Sequence, residues 1–168
     1  GKHIGYWYLD PSARQGKRSG AWASSYRSYS TFDGPETTLS SNNSNFVKPA
    51  PGEPLLISHD DAETFFHEFG HALHGMFSNV QYPRFAGTSV PRDFVEYPSQ
   101  VNEMWATWPE VLTHYAKHYQ TGAPLPPALL AKVAAAANLD FEKAAALRDD
   151  IKRLRNADLG LPWPARRT

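Results

Sequence analysis

The sequence predicts a mainly α fold with a small antiparallel β element near the N-terminus, an α+β chain. Three observations carry this expectation. Short aromatic-rich runs bounded by turn residues are confined to the chain before residue 33. From Asp60 onward apolar residues recur at helical spacing. After a Pro- and Gly-marked linker the chain turns rich in Ala and Leu, which favour helix.

The elements follow in order. "IGYWYL" (4–9) reads as a strand, and Asp10-Pro11 as the turn that ends it. "GAWASSYRSYSTF" (20–32) reads as a second strand with weak alternation. "DGPETTLSSNNSN" (33–45) is polar and turn-rich, so it is expected to be a loop or hairpin connection. "PAPGEP" (49–54) punctuates again before the short apolar run "LLIS". A helix is expected over 61–78. Ser58 or Asp60 can cap it, and Asp60, Asp61 and Glu63 place negative charge where the helix dipole favours it. Phe65, Phe66, Phe69, Leu73, Met76 and Phe77 give this helix a wide apolar stripe. A loop (78–93) leads to a second helix from about Phe94 to Tyr119, with breaks expected at Pro98 and Pro109. "QTGAPLPP" (120–127) is a linker, Ala128 to Ala137 a helix, and Asp140 can cap a last helix to about Asn156.

Composition narrows the function classes. Lys plus Arg and Asp plus Glu number 17 each, so total charge points neither to nucleic acid nor to an anionic membrane. Hydrophobic residues make up 41%, enough for a packed core. With no cysteine, disulfide scaffolds, thiolate metal sites and thiol nucleophiles are excluded, which fits a cytoplasmic protein. No run is long and apolar enough to span a bilayer. The chain opens without Met, in what reads as a strand, and is expected to begin inside a larger fold.

The chemistry concentrates in "AETFFHEFGHALHGMF" (62–77). On a helix, residues four apart share a face, so His67 and His71 can aim imidazole nitrogens at one point. Glu68 lies beside them, within reach of a water held at that point. This is the content of an H-E-x-x-H motif on a zincin-type active-site helix: two zinc ligands and a general base. The five-residue pattern alone also arises by chance on surface helices. The apolar flanks and Gly70, a poor helix-interior residue whose presence suggests close approach of another backbone, argue for a built site. A catalytic zinc takes three protein ligands and an open position. The position six after His71 is Phe77, which excludes a third histidine there, and strain argues against His74 on the same helix. The second helix offers carboxylates: Glu96 is the candidate, and Glu103, seven residues on and on the same face, is the alternative that spacing leaves open. Glu63, Gln100 and Glu103 could orient the ligands from outside; for each, a solvated or core-satisfied role is the plainer reading.

"FFHEFGHALHGMF" followed by "FAGTSVPRDFVEYPSQVNEMW" resembles the thimet-oligopeptidase-like family of zinc peptidases, and within it the bacterial peptidyl-dipeptidase branch. "YLDPSARQGKRSGAW" and "NFVKPAPGEPLLISHDDAETFFHEFGH" match the same branch, so the resemblance covers roughly residues 1–136. It implies one Zn²⁺ per chain held by His67, His71 and Glu96, with Glu68 as base, and cleavage of short peptide substrates in a deep channel to release C-terminal dipeptides. It also implies partner segments that this chain does not contain: helices that build half the channel, and a later His- and Tyr/Gly-rich stretch that stabilises the tetrahedral intermediate. An oxyanion donor is worth about 10²–10³ in rate, so metal binding is expected to survive such a loss better than efficient turnover.

The remainder reads differently. "NLDFEKAAALRDDIKRLRNADLGLP" (138–162) resembles the C-terminal helical hairpin of the helicase-like B subunit of bacterial nucleotide-excision repair, at Leu139, Phe141, Glu142, Ala144, Ala145, Leu147, Arg148, Asp149, Ile151 and Leu154. The expected organisation is a fragment of a peptidase catalytic domain (1–136) and a short helical tail (137–168) that could meet a protein partner through residues 138–160. The rival function is a zinc-binding remnant of impaired activity, or an interaction protein acting through that tail.

Overall fold

The computed structural model describes residues 1–137. Residues 138–168, with the expected last helix and the hairpin-like tail, lie outside the described residues. Among the described residues three strands and five α-helices are formed: β1 (Gly5–Ser12), β2 (Trp22–Arg27), β3 (Thr38–Phe46), α1 (His59–Met76), α2 (Arg92–Val95), α3 (Tyr97–Thr107), α4 (Pro109–Tyr115) and α5 (Pro127–Ala137). None of them is long and apolar enough to cross a membrane. The chain forms two compact units, 1–106 and 107–168.

The first unit is built on a sheet of order β1-β3-β2. β1 runs parallel to β3, while β2 runs antiparallel to it. The sheet is therefore mixed, not the antiparallel element expected. Its central strand, β3, takes up much of the segment 33–45 that was expected to be a loop or hairpin connection. The reason is chemical: β3 reads "TLSSNNSNF", with neither apolar alternation nor β-branched enrichment, yet it is the most buried element. Several of its side chains are satisfied internally, and Ser40 Oγ is left without a partner. Asn42, fully buried, accepts from Trp7 Nε1 and donates through Nδ2 to the Glu68 carbonyl. Thr38 Oγ1 donates to the Gly75 carbonyl, and Ser41 Oγ pairs with the Tyr26 hydroxyl. Buried polar groups are tolerated where they are so paired.

β1 runs through Asp10-Pro11, where a turn was expected. A register irregularity between Asp10 and Ser12 absorbs the proline, which cannot donate to a ladder and is tolerated on edge strands and at bulges. β2 stops at Arg27, short of the expected Phe32; beyond it only Ser30 bridges, to Glu36.

α1 starts where the capping signal predicts. Ser58 Oγ accepts from the Asp61 N–H and the Asp61 carboxylate accepts from the Ser58 N–H, closing a capping box. The helix lies against β3 and β2. Trp7 reaches across to it, edge-on to Phe69 at 5.1 Å and to Phe65 at 6.4 Å.

The expected long second helix is three. Its first break falls at Glu96, between α2 and α3, and Pro98 sits in the first turn of α3, where a missing N–H costs nothing. Pro109 opens α4 in the same way. In the second unit, α4 is followed by a turn in which the His118 N–H donates to Ala123 and the Gly122 N–H to His118, and then by α5.

Gly70 sets how α3 meets α1. A Cβ there would lie 2.6 Å from Ser99 Cα, 2.9 Å from Asn102 Cβ and 2.9 Å from the Pro98 carbonyl. Asn102 Nδ2 donates to the Phe66 carbonyl at 2.6 Å, stitching the helices one turn away. Gly70→Ala is therefore expected to destabilise the fold. Overpacking costs about 1–3 kcal/mol, more than the roughly 1 kcal/mol that Ala gains over Gly in a helix. Thermal unfolding measures this: the midpoint falls, whereas a rise would show that the helices are not in contact. Asn42→Ala, which leaves the Trp7 indole N–H without its acceptor, is expected to cost about 1–2 kcal/mol in urea unfolding.

Candidate metal centre

His67 and His71 lie on the face of α1 turned toward the α2–α3 junction, and Glu96 is the residue at that junction. Glu96 Oε2 stands 3.2 Å from His67 Nε2 and 3.1 Å from His71 Nε2. The three ligand atoms lie within 4.8 Å of one another. The edge of a tetrahedron about zinc, with bonds of about 2.0–2.1 Å, is roughly 3.3–3.4 Å. The donor set, two imidazoles and a carboxylate, and its spacing both fit that ion.

Each of the three groups has its own surroundings. Glu96 is held by Ser99, whose hydroxyl contacts the Glu96 carbonyl at 2.8 Å and Oε2 at 3.0 Å. Burial alone would push the Glu96 carboxyl up, but the Ser99 hydroxyl and the imidazoles of His71 and His67 together hold it below its usual range. His67 turns its other nitrogen, Nδ1, to Glu103 Oε2 at 2.8 Å. Burial lowers the pKa of His71, with Glu96 opposing, so its neutral imidazole with a free lone pair is favoured. His71 Nδ1 is buried without a partner.

Glu68 occupies the next position on α1, facing β2. Burial pushes its carboxyl above the usual range; His67 and a hydrogen bond from the Ala23 backbone partly offset this. A carboxyl so tuned accepts a proton at neutral pH more readily than an exposed one.

Spacing had left Glu96 and Glu103 as alternatives, and the two stand differently to the histidines. Glu96 faces both Nε2 atoms, and Glu103 backs His67 from behind. Glu63 pairs with His59 at 3.5 Å and not with His67, and Gln100 is exposed. His74 is not among the converging ligand atoms; its ring lies 6.1 Å from that of Phe94, and burial lowers its pKa. His59, Asp60 and Glu63 form a second group of potential ligand atoms on the first turn of α1. Two contributors escaped sequence reading, Asn42 and Asn102. Each anchors a carbonyl of α1 beside the site, and polar side chains in turn-like or helical contexts give no periodic signal.

Residues 1–148 match the model of peptidase family M3. The chain belongs to that family. It is 47% identical over 133 residues to a dipeptidyl carboxypeptidase of Escherichia coli (strain K12), covering 79% of this chain and 19% of that protein. It is 43% identical over 140 residues to oligopeptidase A of Salmonella typhimurium (80% and 20%). It is 42% identical over 147 residues to a thimet-like oligopeptidase of Dictyostelium discoideum (83% and 21%). The chain thus spans about a fifth of the length of these curated relatives. The family match extends past residue 136, the point at which the resemblance read from motifs stops.

Replacing Glu103 by Ala removes the acceptor at His67 Nδ1. Loss of such an outer partner is expected to weaken metal binding by about 10–100-fold, measured by chelator competition. Unchanged affinity would show that Glu103 does not orient the ring.

Proposed function

We propose that this chain carries the metal-binding and proton-transfer machinery of a zinc peptidase of the oligopeptidase or peptidyl-dipeptidase kind, acting on short peptides. The observation that carries this reading is the convergence of His67 Nε2, His71 Nε2 and Glu96 Oε2 beside the buried carboxyl of Glu68. The names of its relatives, dipeptidyl carboxypeptidase and oligopeptidase, supply the substrate class.

In this reading His67, His71 and Glu96 hold one zinc ion. A bound zinc supplies Lewis acidity, polarising a carbonyl and lowering the pKa of a water. The rest is the work of side chains. Glu103 fixes the ring and tautomer of His67. Ser99 holds the Glu96 carboxylate in place. The Glu68 carboxylate, its proton affinity raised by burial, takes a proton from the attacking water and returns it to the leaving amine.

Metal analysis of the full 168-residue chain, joined to a peptidase assay, tests the reading. One zinc per chain is expected, lost in His67→Ala. Glu68→Gln is expected to keep the zinc and lower turnover by about 10²–10⁴-fold, the contribution of a positioned acid–base group. Failure to bind zinc removes the metal reading. Zinc binding without turnover in the unsubstituted chain makes it a remnant that holds the metal and no longer cuts.

A further inference from the structure

His67 and His71 are served unequally. Behind His67 stands Glu103, while the outer nitrogen of His71 has no direct partner. A histidine that offers Nε2 to a metal needs an acceptor for its Nδ1–H, because that bond sets both tautomer and ring orientation.

The strand facing α1 supplies a counterpart. The strand period of two brings Thr38, Ser40 and Asn42 to one face of β3. Thr38 Oγ1 reaches the Gly75 carbonyl at 2.9 Å, and Asn42 Nδ2 reaches the Glu68 carbonyl at 2.6 Å. Ser40 lies midway between these anchors on the strand, as His71 and Ala72 lie midway between Glu68 and Gly75 on the helix. Ser40 is 3% exposed, and its Oγ is the one buried hydroxyl without a partner among the described residues. Ser40 and His71 line the same cavity of about 90 Å³, enclosed further by Ser24, Ser25, Thr88 and Ser89. A cavity of this size, lined by Ala23, Ala72 and Ala86 as well as by these hydroxyls, admits water, and a buried water commonly joins such groups.

We infer that Ser40 is a positioning residue for His71. An ordered water in this cavity accepts the His71 Nδ1–H and donates to Ser40 Oγ, turning His71 Nε2 toward Glu96. The arrangement gives the second histidine, by way of a water, what Glu103 gives the first directly. The inference rests on the reading of His71 as a metal ligand.

Zinc dissociation constants, measured by competition with a chromophoric chelator, test it in the unsubstituted chain and in Ser40→Ala, Ser40→Gly and Ser40→Thr. Both variants without the hydroxyl are expected to bind zinc at least tenfold more weakly and to release it faster, with far-ultraviolet circular dichroism unchanged. Ser40→Thr, which keeps the hydroxyl, is expected to stay within threefold of the unsubstituted chain. Zinc affinity within twofold in Ser40→Ala overturns the inference and leaves the metal reading standing. Equal weakening in Ser40→Thr and Ser40→Ala overturns it as well, since packing alone would then be responsible. If the unsubstituted chain binds no zinc, the metal reading and the inference fall together.

Discussion

The close approach of α3 to α1 at Gly70 is the constraint on which the site depends. His67 and His71 come from one helix and hold their spacing by helical geometry alone. Glu96 comes from elsewhere, and its distance to them is set by how near the second helix can lie. The absence of a side chain at residue 70 lets Ser99 Cα into van der Waals range of the α1 backbone. The Asn102 bond to Phe66 fixes the rotation of α3, and Ser99, against Gly70, is also the residue whose hydroxyl holds Glu96. One residue thus packs the helices and aims the carboxylate.

The sheet performs the same service from the other side. β3 presses polar side chains onto α1 and bonds its carbonyls at Glu68 and Gly75, on either side of His71. A helix held only by apolar packing could slide or rotate by fractions of a turn. Bonds to specific carbonyls deny that freedom, which a metal centre of the proposed kind, with ligands about 3 Å apart, needs denied. The cost is a core poor in large apolar groups at the sheet, offset by the aromatic contact of Trp7 with Phe65 and Phe69.

The helix that carries the candidate site was more legible in the sequence than the sheet. The H-E-x-x-H spacing, the capping signal at Ser58 and the misplaced glycine at 70 are local statements about a helix, and local statements survive translation into structure. That a backbone approaches Gly70 was readable; that it is the Ser99 backbone was not. The choice between Glu96 and Glu103 turns on the α2–α3 break at Glu96, which spacing along one assumed helix cannot reveal. β3 was hidden because burial normally announces itself through apolar residues, and here Asn and Ser are buried by pairing with partners far away in the chain. Parallel pairing of β1 with β3 is likewise a long-range fact, with no turn signal between the strands to betray it. Membership of peptidase family M3 accounts for the long matching motifs around the helix.

The central claim is that two imidazoles and one carboxylate of this chain close on a single ion. Zinc K-edge X-ray absorption on the loaded chain tests it most directly. The account predicts two imidazole nitrogens and one carboxylate oxygen, with a further light ligand, all at about 2.0–2.1 Å. A shell of three imidazoles, bringing in His74, or the same shell persisting in Glu96→Ala, would contradict it.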